Sequence, residues 1–336
     1  MNTRDPAEFY SELQSEVGRV LVGNTDVVEG LAIALLTRSH VLLEGVPGVA
    51  KTTVANLFAR ASGLDVNRIQ MTPDILPADI TGTHIYREAT GEFELHRGPV
   101  FANVLIADEI NRATPKSQSA LLEAMQERSV TIEGDTLELP DPFLVVATQN
   151  PIEMVGTFEL PEAQRDRFQQ RLVMDLPERD EERQILDEFD EQPTLGPEVV
   201  EAITSPDELR SYRERLDDVY VAPPVKEYVL DLIAASRDHP DVRHGTSPRA
   251  SLALLNASKA RALLRDRSYV IPDDVKGLAH QVIAHRLILH TDAELSEATE
   301  SDVVADLLER VDPPGSVSLD RHNGLDAGER VVEPME

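Results

Sequence analysis

Apolar positions recur at helical spacing over residues 7–21 and 26–38, with Asp26 placed to cap the second segment. The short apolar run His40-Val41-Leu42-Leu43-Glu44 then predicts a buried strand. Helical spacing returns over 51–62, and residues 66–70 suit a strand. Residues 83–96 alternate as a hairpin that turns at Thr90-Gly91. Asn103-Val104-Leu105-Ile106-Ala107 predicts a second buried strand, residues 115–128 a helix, and Val130 to Leu139 another hairpin. Phe143 to Thr148 and Arg171 to Met174 complete the strand set.

Beyond Pro177 the strand pattern stops. Residues 179–190, 206–217, 224–237, 248–266 and 272–286 have helical spacing. Asp273 and Asp274 follow Pro272 at a helix start, where carboxylates suit the positive end of the dipole. Val229, Leu232, Ile233 and Ser236 form a core-facing stripe, and Tyr220 to Pro224 a connection between helices. The composition changes near 190–196. The pattern therefore predicts an α/β part over 1–192, with hairpin inserts near 83–96 and 130–139, and a small all-helical part over 193–310. Residues 291–336 hold 13 acidic and 3 basic side chains, with few large apolar residues after 311. A last helix at 301–310 and a disordered acidic tail over 311–336 are expected.

Composition narrows the class. The 336 residues carry 61 acidic and 32 basic side chains, a net charge of −29, and no Cys or Trp. A disulfide scaffold and a Cys-ligated metal site are excluded. No apolar run approaches a membrane span, and no apolar signal core follows Met1-Asn2-Thr3-Arg4-Asp5, so a cytoplasmic protein without membrane insertion is expected. Only five of the basic residues are Lys (51, 116, 226, 259 and 276). Low Lys with acidity spread along the chain favours a surface adapted to molar salt, where repulsion is screened within about 3 Å; the alternative is a docking surface for a basic partner. His280, His285 and His290 recur every five residues, which does not place them on one helical face, so no metal site is expected there.

Gly45-Val46-Pro47-Gly48-Val49-Ala50-Lys51-Thr52, followed by Thr53, lies between a predicted buried strand and a helix. That context and spacing match the phosphate-binding loop pattern. Glycines let backbone N–H groups curl around phosphates, and the helix N-terminus adds partial positive charge. Lys51 would reach the β- and γ-phosphates and the Thr52 hydroxyl would bind Mg²⁺. Ala50 stands where the pattern has Gly, which a negative φ would tolerate; a plain strand-to-helix turn is the alternative reading. Val104 to Ala107 runs into Asp108 and Glu109. Two carboxylates at a buried strand end are costly unless a cation or water joins them, so Asp108 is expected at the Mg²⁺ and Glu109 at the attacking water. Asn150, after Ala147-Thr148-Gln149, could contact the γ-phosphate or that water, or simply form a turn before Pro151.

Together these segments resemble the Walker A, Walker B and sensor-1 elements of AAA+ ATPases. Gly98-Pro99-Val100-Phe101-Ala102-Asn103 running into Ala107-Asp108-Glu109-Ile110-Asn111-Arg112-Ala113 is similar to the MoxR group in particular. So are Gln118 to Arg128, Ala147 to Glu153, Leu160 to Gln164 and Asp166-Arg167-Phe168. MoxR-like proteins often carry Ala where this chain has Ala50. The resemblance spans roughly residues 15–290. It implies an AAA+ P-loop domain, with a parallel sheet flanked by helices, and a small helical lid. It implies ATP and Mg²⁺ as cofactors, ATP hydrolysis, and a homo-oligomeric, hexameric ring. Arg167 would complete a neighbour's site as the arginine finger, with Arg165 an alternative. Arg249 would contact the γ-phosphate from the lid as sensor 2, and Val22-Gly23 would line the adenine pocket. The two hairpins would project towards one ring face or the pore. A chaperone that remodels or matures partner proteins, often ones with a VWA domain, is the leading expectation. A chelatase-like metal-insertion subunit and a nucleic-acid motor are alternatives. The acidic tip Glu133-Gly134-Asp135-Thr136 lacks the cations that grip phosphates, so no nucleic-acid partner is expected.

Overall fold

Asp5 caps the first helix, α1 (Pro6–Val17), accepting the Ala7 amide at 3.0 Å. The computed structural model describes residues 4–89, 91–150, 157–192 and 196–315. The expected turn residue Thr90, the Pro151-Ile152-Glu153 segment, part of the 190–196 boundary and the tail from 316 lie outside them. Helix α2 (Thr25–Leu36) starts after Gly23 and Asn24, whose φ values are 70° and 54°. These two positive φ angles reverse the chain, so the cap position is Asn24. Asp26 sits inside the first turn instead of at the cap expected from sequence.

The chain then alternates strands and helices: β1 (Val41–Gly45), α3 (Lys51–Ala61), β2 (Val66–Gln70), α4 (Pro77–Thr81), the hairpin β3 (Gly82–Arg87) and β4 (Glu92–Arg97), β5 (Val104–Asp108) and α5 (Pro115–Glu127). A second hairpin, β6 (Ser129–Ile132) and β7 (Asp135–Glu138), precedes β8 (Leu144–Gln149), α6 (Glu162–Arg165) and β9 (Gln170–Met174). Strands β1, β2, β5, β8 and β9 form one parallel sheet in the order β2-β5-β8-β1-β9. Because all five run the same way, their carboxyl ends share one edge.

Both faces of this sheet are covered, which explains the near-continuous apolar strands. Val41 and Leu43 of β1, Val104 and Ile106 of β5, and Leu144 and Val146 of β8 face one cluster with α1, α2 and α3. Leu42, Leu105, Ala107, Val145 and Ala147 alternate into the other, against α5 and the hairpin bases.

The rest is mostly helical: α7 (Arg179–Glu191), α8 (Pro206–Asp217), α9 (Pro223–Asp238), β10 (Val242–His244), α10 (Pro248–Leu264), α11 (Pro272–Ile283), β11 (Ile288–Leu289), α12 (Thr291–Leu295) and α13 (Glu300–Arg310). Strands β10 and β11 pair antiparallel, so this part is not all-helical as the sequence pattern suggests. Strands of three and two residues are too short to leave a periodic signal. Val229, Leu232, Ile233 and Ser236 are buried. The first apolar cluster runs from α1–α3 into α9–α11 without a break, so the helical part shares the core of one sheet face. No helix among the described residues is long and apolar enough to cross a membrane.

His40, just before β1, is buried between the second sheet face and Phe143, whose ring meets it edge-on at 5.6 Å. Its Nδ1 accepts the Val145 amide at 3.0 Å and its Nε2 donates to the Met125 carbonyl at 3.1 Å. Burial lowers its pKa to about 4, against the opposing pull of the Met125 bond. A base with a depressed folded pKa gives stability that is present above its unfolded value and lost as pH falls through the folded one. His40 should therefore cost the fold about 3 kcal/mol between pH 6.5 and pH 4. Denaturant melts over that range should show a shallower acid-side loss for His40→Gln than for wild type. Parallel curves would contradict the assignment.

Candidate active site at the carboxyl edge of the sheet

The loop between β1 and α3 turns because two glycines permit it. Gly48 has φ +90°, and a Cβ there would meet nothing within 4 Å, so conformation and not space demands glycine. Gly45 is the reverse case: a Cβ would lie 2.5 Å from the Met174 carbonyl of neighbouring β9. Ala50 has φ 63° and ψ 27°, the left-handed region. The negative φ that would make Ala easy here is not what the backbone adopts. The loop must aim its amides inward before α3 begins, and the Ala50 methyl carries the strain. Lys51 opens α3, and its Nζ donates to the Gly45 carbonyl and, at 3.1 Å, to the Val46 carbonyl.

Asp108 ends β5 almost fully buried. Thr52 Oγ1 lies 3.1 and 3.2 Å from its two carboxylate oxygens. Thr148 Oγ1, on β8, donates to Asp108 Oδ1 at 3.1 Å and accepts the Glu109 amide at 3.0 Å. Arg68 of β2 reaches across with Nε 2.5 Å from Asp108 Oδ2. Glu109 follows with φ 56°, a left-handed turn that swings its side chain out of the strand's line. There Gln70 Nε2 donates to its Oε2 at 2.6 Å, and Arg112 Nε lies 3.2 Å from the same oxygen.

These groups line a cleft of about 460 Å³, made by residues 47–53 with Arg68, Gln70, Asp108, Glu109, Thr148, Gln149 and Asn150. The donor set fits magnesium: a hard carboxylate and a hydroxyl stand side by side beside a phosphate-sized loop. Mg²⁺ is commonly held by one or two carboxylates plus substrate phosphates, not by a cage of protein ligands.

The cleft gathers Pro47, Gly48, Val49, Ala50, Lys51, Thr52, Thr53, Asp108, Glu109 and Asn150 from the sequence-predicted set. Gly45 and Val46 flank it through their bonds to Lys51. Four residues stand apart. Val22 is half-buried, and Gly23 packs so close to Glu181 of α7 that a Cβ would lie 2.5 Å from its Oε1. Arg249 is exposed at the start of α10, its amide donating to the Ser247 cap at 3.2 Å. Arg167 lines a separate surface cleft of about 390 Å³ with Ser119, Leu122, Glu123, Gln126 and Glu127 of α5 and Gln164 of α6.

The two candidate finger residues point differently. The Nε of Arg165 is buried, and its charge reaches Glu44 and His285 of the same chain. Arg167 faces outward and has no ion-pair partner among the described residues. Sequence reasoning missed Arg68, Gln70, Thr148 and Gln149. Strand order alone reveals the first two: β2 lies beside β5, with Gln70 opposite Asp108.

A parallel α/β sheet with a glycine-turned phosphate loop after β1 and paired carboxylates at the end of β5, two strands away, defines a P-loop nucleotide-binding protein. The model for the ATPase family associated with various cellular activities (AAA) matches residues 40–170, and that for the AAA lid domain residues 234–307. Chaperone MoxR1 of Mycobacterium tuberculosis is 45% identical over 308 residues, covering 89% of this chain and 81% of that protein. The uncharacterized protein YeaC of Bacillus subtilis is 44% identical over 298 residues, covering 89% and 92%. A crystal structure of a candidate ATPase from Cytophaga hutchinsonii superposes with a TM-score of 0.85 at 37% identity, covering 92% of this chain and 96% of that one. The chain belongs to the MoxR-type AAA+ ATPases.

Ala50→Gly should relieve the left-handed strain and stabilise the fold by up to about 1 kcal/mol, the methyl penalty less the added freedom of the unfolded glycine. Chemical denaturation checks this. A loss of stability would mean that the Ala50 methyl makes a contact worth more than its strain.

Proposed function

We propose that this protein hydrolyses ATP with Mg²⁺ and uses the energy, as a ring-shaped homo-oligomer of hexameric size, to remodel or mature partner proteins in the cytoplasm. Proteins with a VWA domain are the partners this reading favours. The observation that carries it is the placement of Thr52, Asp108 and Glu109 around one cleft at the end of the phosphate loop. Likeness to a protein named as a chaperone supports protein clients in general.

In this reading the amides of residues 45–52 and the start of α3 bind the phosphates, and Lys51 turns from its loop carbonyls onto the β- and γ-phosphates. Thr52 and Asp108 hold magnesium, which when bound neutralises charge on the phosphate oxygens. Glu109 accepts a proton from the attacking water and orients it, with Gln70 and Arg112 fixing the carboxylate. Asn150 contacts the γ-phosphate or that water, and Arg249 approaches the γ-phosphate from the lid. Val22 and Gly23 line the adenine pocket. The outward Arg167, not the inward Arg165, is lent to the neighbouring subunit.

The hairpins favour a protein client. Residues 133–136, at the tip of β6–β7, are exposed and acidic, which disfavours a phosphate backbone. On β3–β4, Tyr86 and Phe93 pair at 5.3 Å and remain largely exposed, 54% and 69%, an apolar contact suited to polypeptide.

Lys51→Ala should weaken nucleotide binding. Glu109→Gln should bind ATP but turn it over roughly 10²- to 10⁴-fold more slowly. Steady-state phosphate release and equilibrium nucleotide binding measure both; a fully active Glu109→Gln enzyme would contradict the assignment. Arg167→Ala should cut turnover of the assembled ring on the order of 10³-fold with little change in nucleotide affinity; unchanged turnover would move the role to Arg165. The net charge of −29 implies that assembly strengthens with KCl up to molar concentration. Light scattering across a salt series tests it, and full assembly at low salt would contradict it. A pull-down with Glu109→Gln as an ATP-dependent trap tests the client: a VWA-domain protein supports the reading, and nucleic-acid-bound repair proteins contradict it.

A further inference from the structure

Asp166 lies between the two candidate finger residues, and its carboxylate faces the helical part. Arg286, after α11, points Nε at Asp166 Oδ1 at 2.8 Å, and Ser247 donates to Oδ2 at 3.2 Å. The ion pair is nearly dry, with the Arg286 side chain 3% exposed and that of Asp166 15%. The other nitrogens of Arg286 are also used: Nη2 donates to the Phe168 carbonyl at 2.7 Å, and Nη1 to the Gln169 carbonyl at 3.0 Å and to the Val282 carbonyl. His285 Nε2 donates to the same Phe168 carbonyl at 3.1 Å. Ser247 is itself the cap of α10, the helix that carries Arg249.

Buried ion pairs add little net stability compared with apolar replacements, but they fix geometry. This one ties the turn at residues 165–169 to two lid elements at once, the start of α10 and the end of α11. One residue further on, Arg167 lines the surface cleft beside α5 instead of contacting the lid residues that hold Asp166. We propose that Asp166 is a positioning residue: it locks Arg167 to the lid, so that the lid position of one subunit sets where the arginine lent to its neighbour stands. The inference rests on the ring reading above and adds the route by which one site informs the next.

The test uses full-length subunits in mixed rings. Subunits with Lys51→Ala are silent at their own site but still lend Arg167, so wild-type turnover in the mixture reports on the lent residue. Adding Asp166→Asn to the silent subunits should lower that turnover by up to about 10²-fold, the scale of a misplacement of about 1 Å. Nucleotide affinity of Asp166→Asn on its own should stay within about twofold of wild type, and Asp166→Glu should recover part of the loss. Silent subunits with Arg167→Ala are the benchmark. If they leave turnover unchanged, the finger reading fails. If they slow it while Asp166→Asn donors do not, the coupling proposed here fails. Should Asp166→Asn lose its cooperative melt, Ser247→Gly, which removes the bond to Asp166 and leaves a residue still tolerated at the α10 cap, decides instead: about threefold slower donors support the coupling and unchanged donors overturn it.

Discussion

A carboxylate at the end of an apolar strand is expensive to bury unless other groups come to meet it. Asp108 is in that position, and the cleft is arranged around its needs. Thr52 arrives from α3, Thr148 from β8 and Arg68 from β2, so three elements converge on one side chain. The same demand that satisfies the carboxylate brings the phosphate loop against β5. A cation bound between Thr52 and Asp108 would meet the demand in the same way that Arg68 does. Under the proposed function, structural satisfaction and nucleotide chemistry draw on a single arrangement.

Two other constraints shape the molecule around that point. Parallel strands covered on both faces deliver their polar ends to a single edge, which is where open α/β sheets bind ligands. The backbone also accepts left-handed geometry at Ala50 and at Glu109, both non-glycine residues lining the cleft. Strain of this kind persists where surrounding structure over-determines it. Just ahead of β9, the Asp166–Arg286 pair joins the turn at residues 165–169 to the helices that share the sheet's core. The lid is consequently tied to the sheet by both apolar packing and a buried charge.

Much of this was legible in the chain. The buried strands β1, β5 and β8 declared themselves as short apolar runs, and the loop from Gly45 to Thr52 carried its own spacing. The gaps have physical causes. Arg68 and Gln70 sit on an ordinary alternating strand, and only the neighbour relation of β2 and β5 makes them part of the cleft. The φ of Ala50 is set by the loop's task, not by the residue's preference. Strands β10 and β11 are too short for periodicity, and Asn24 took the cap position because Gly23 beside it also turns left-handed. The opposite orientations of Arg165 and Arg167 depend on what each side of the turn packs against, which spacing cannot express.

The most direct measurement is a crystal structure of the Glu109→Gln protein grown with ATP and Mg²⁺. The proposed function requires the β- and γ-phosphates inside the loop of residues 45–52, Lys51 turned onto them, and the metal held by Thr52 and Asp108. Nucleotide bound elsewhere, or bound in the cleft with the metal away from both residues, would contradict it.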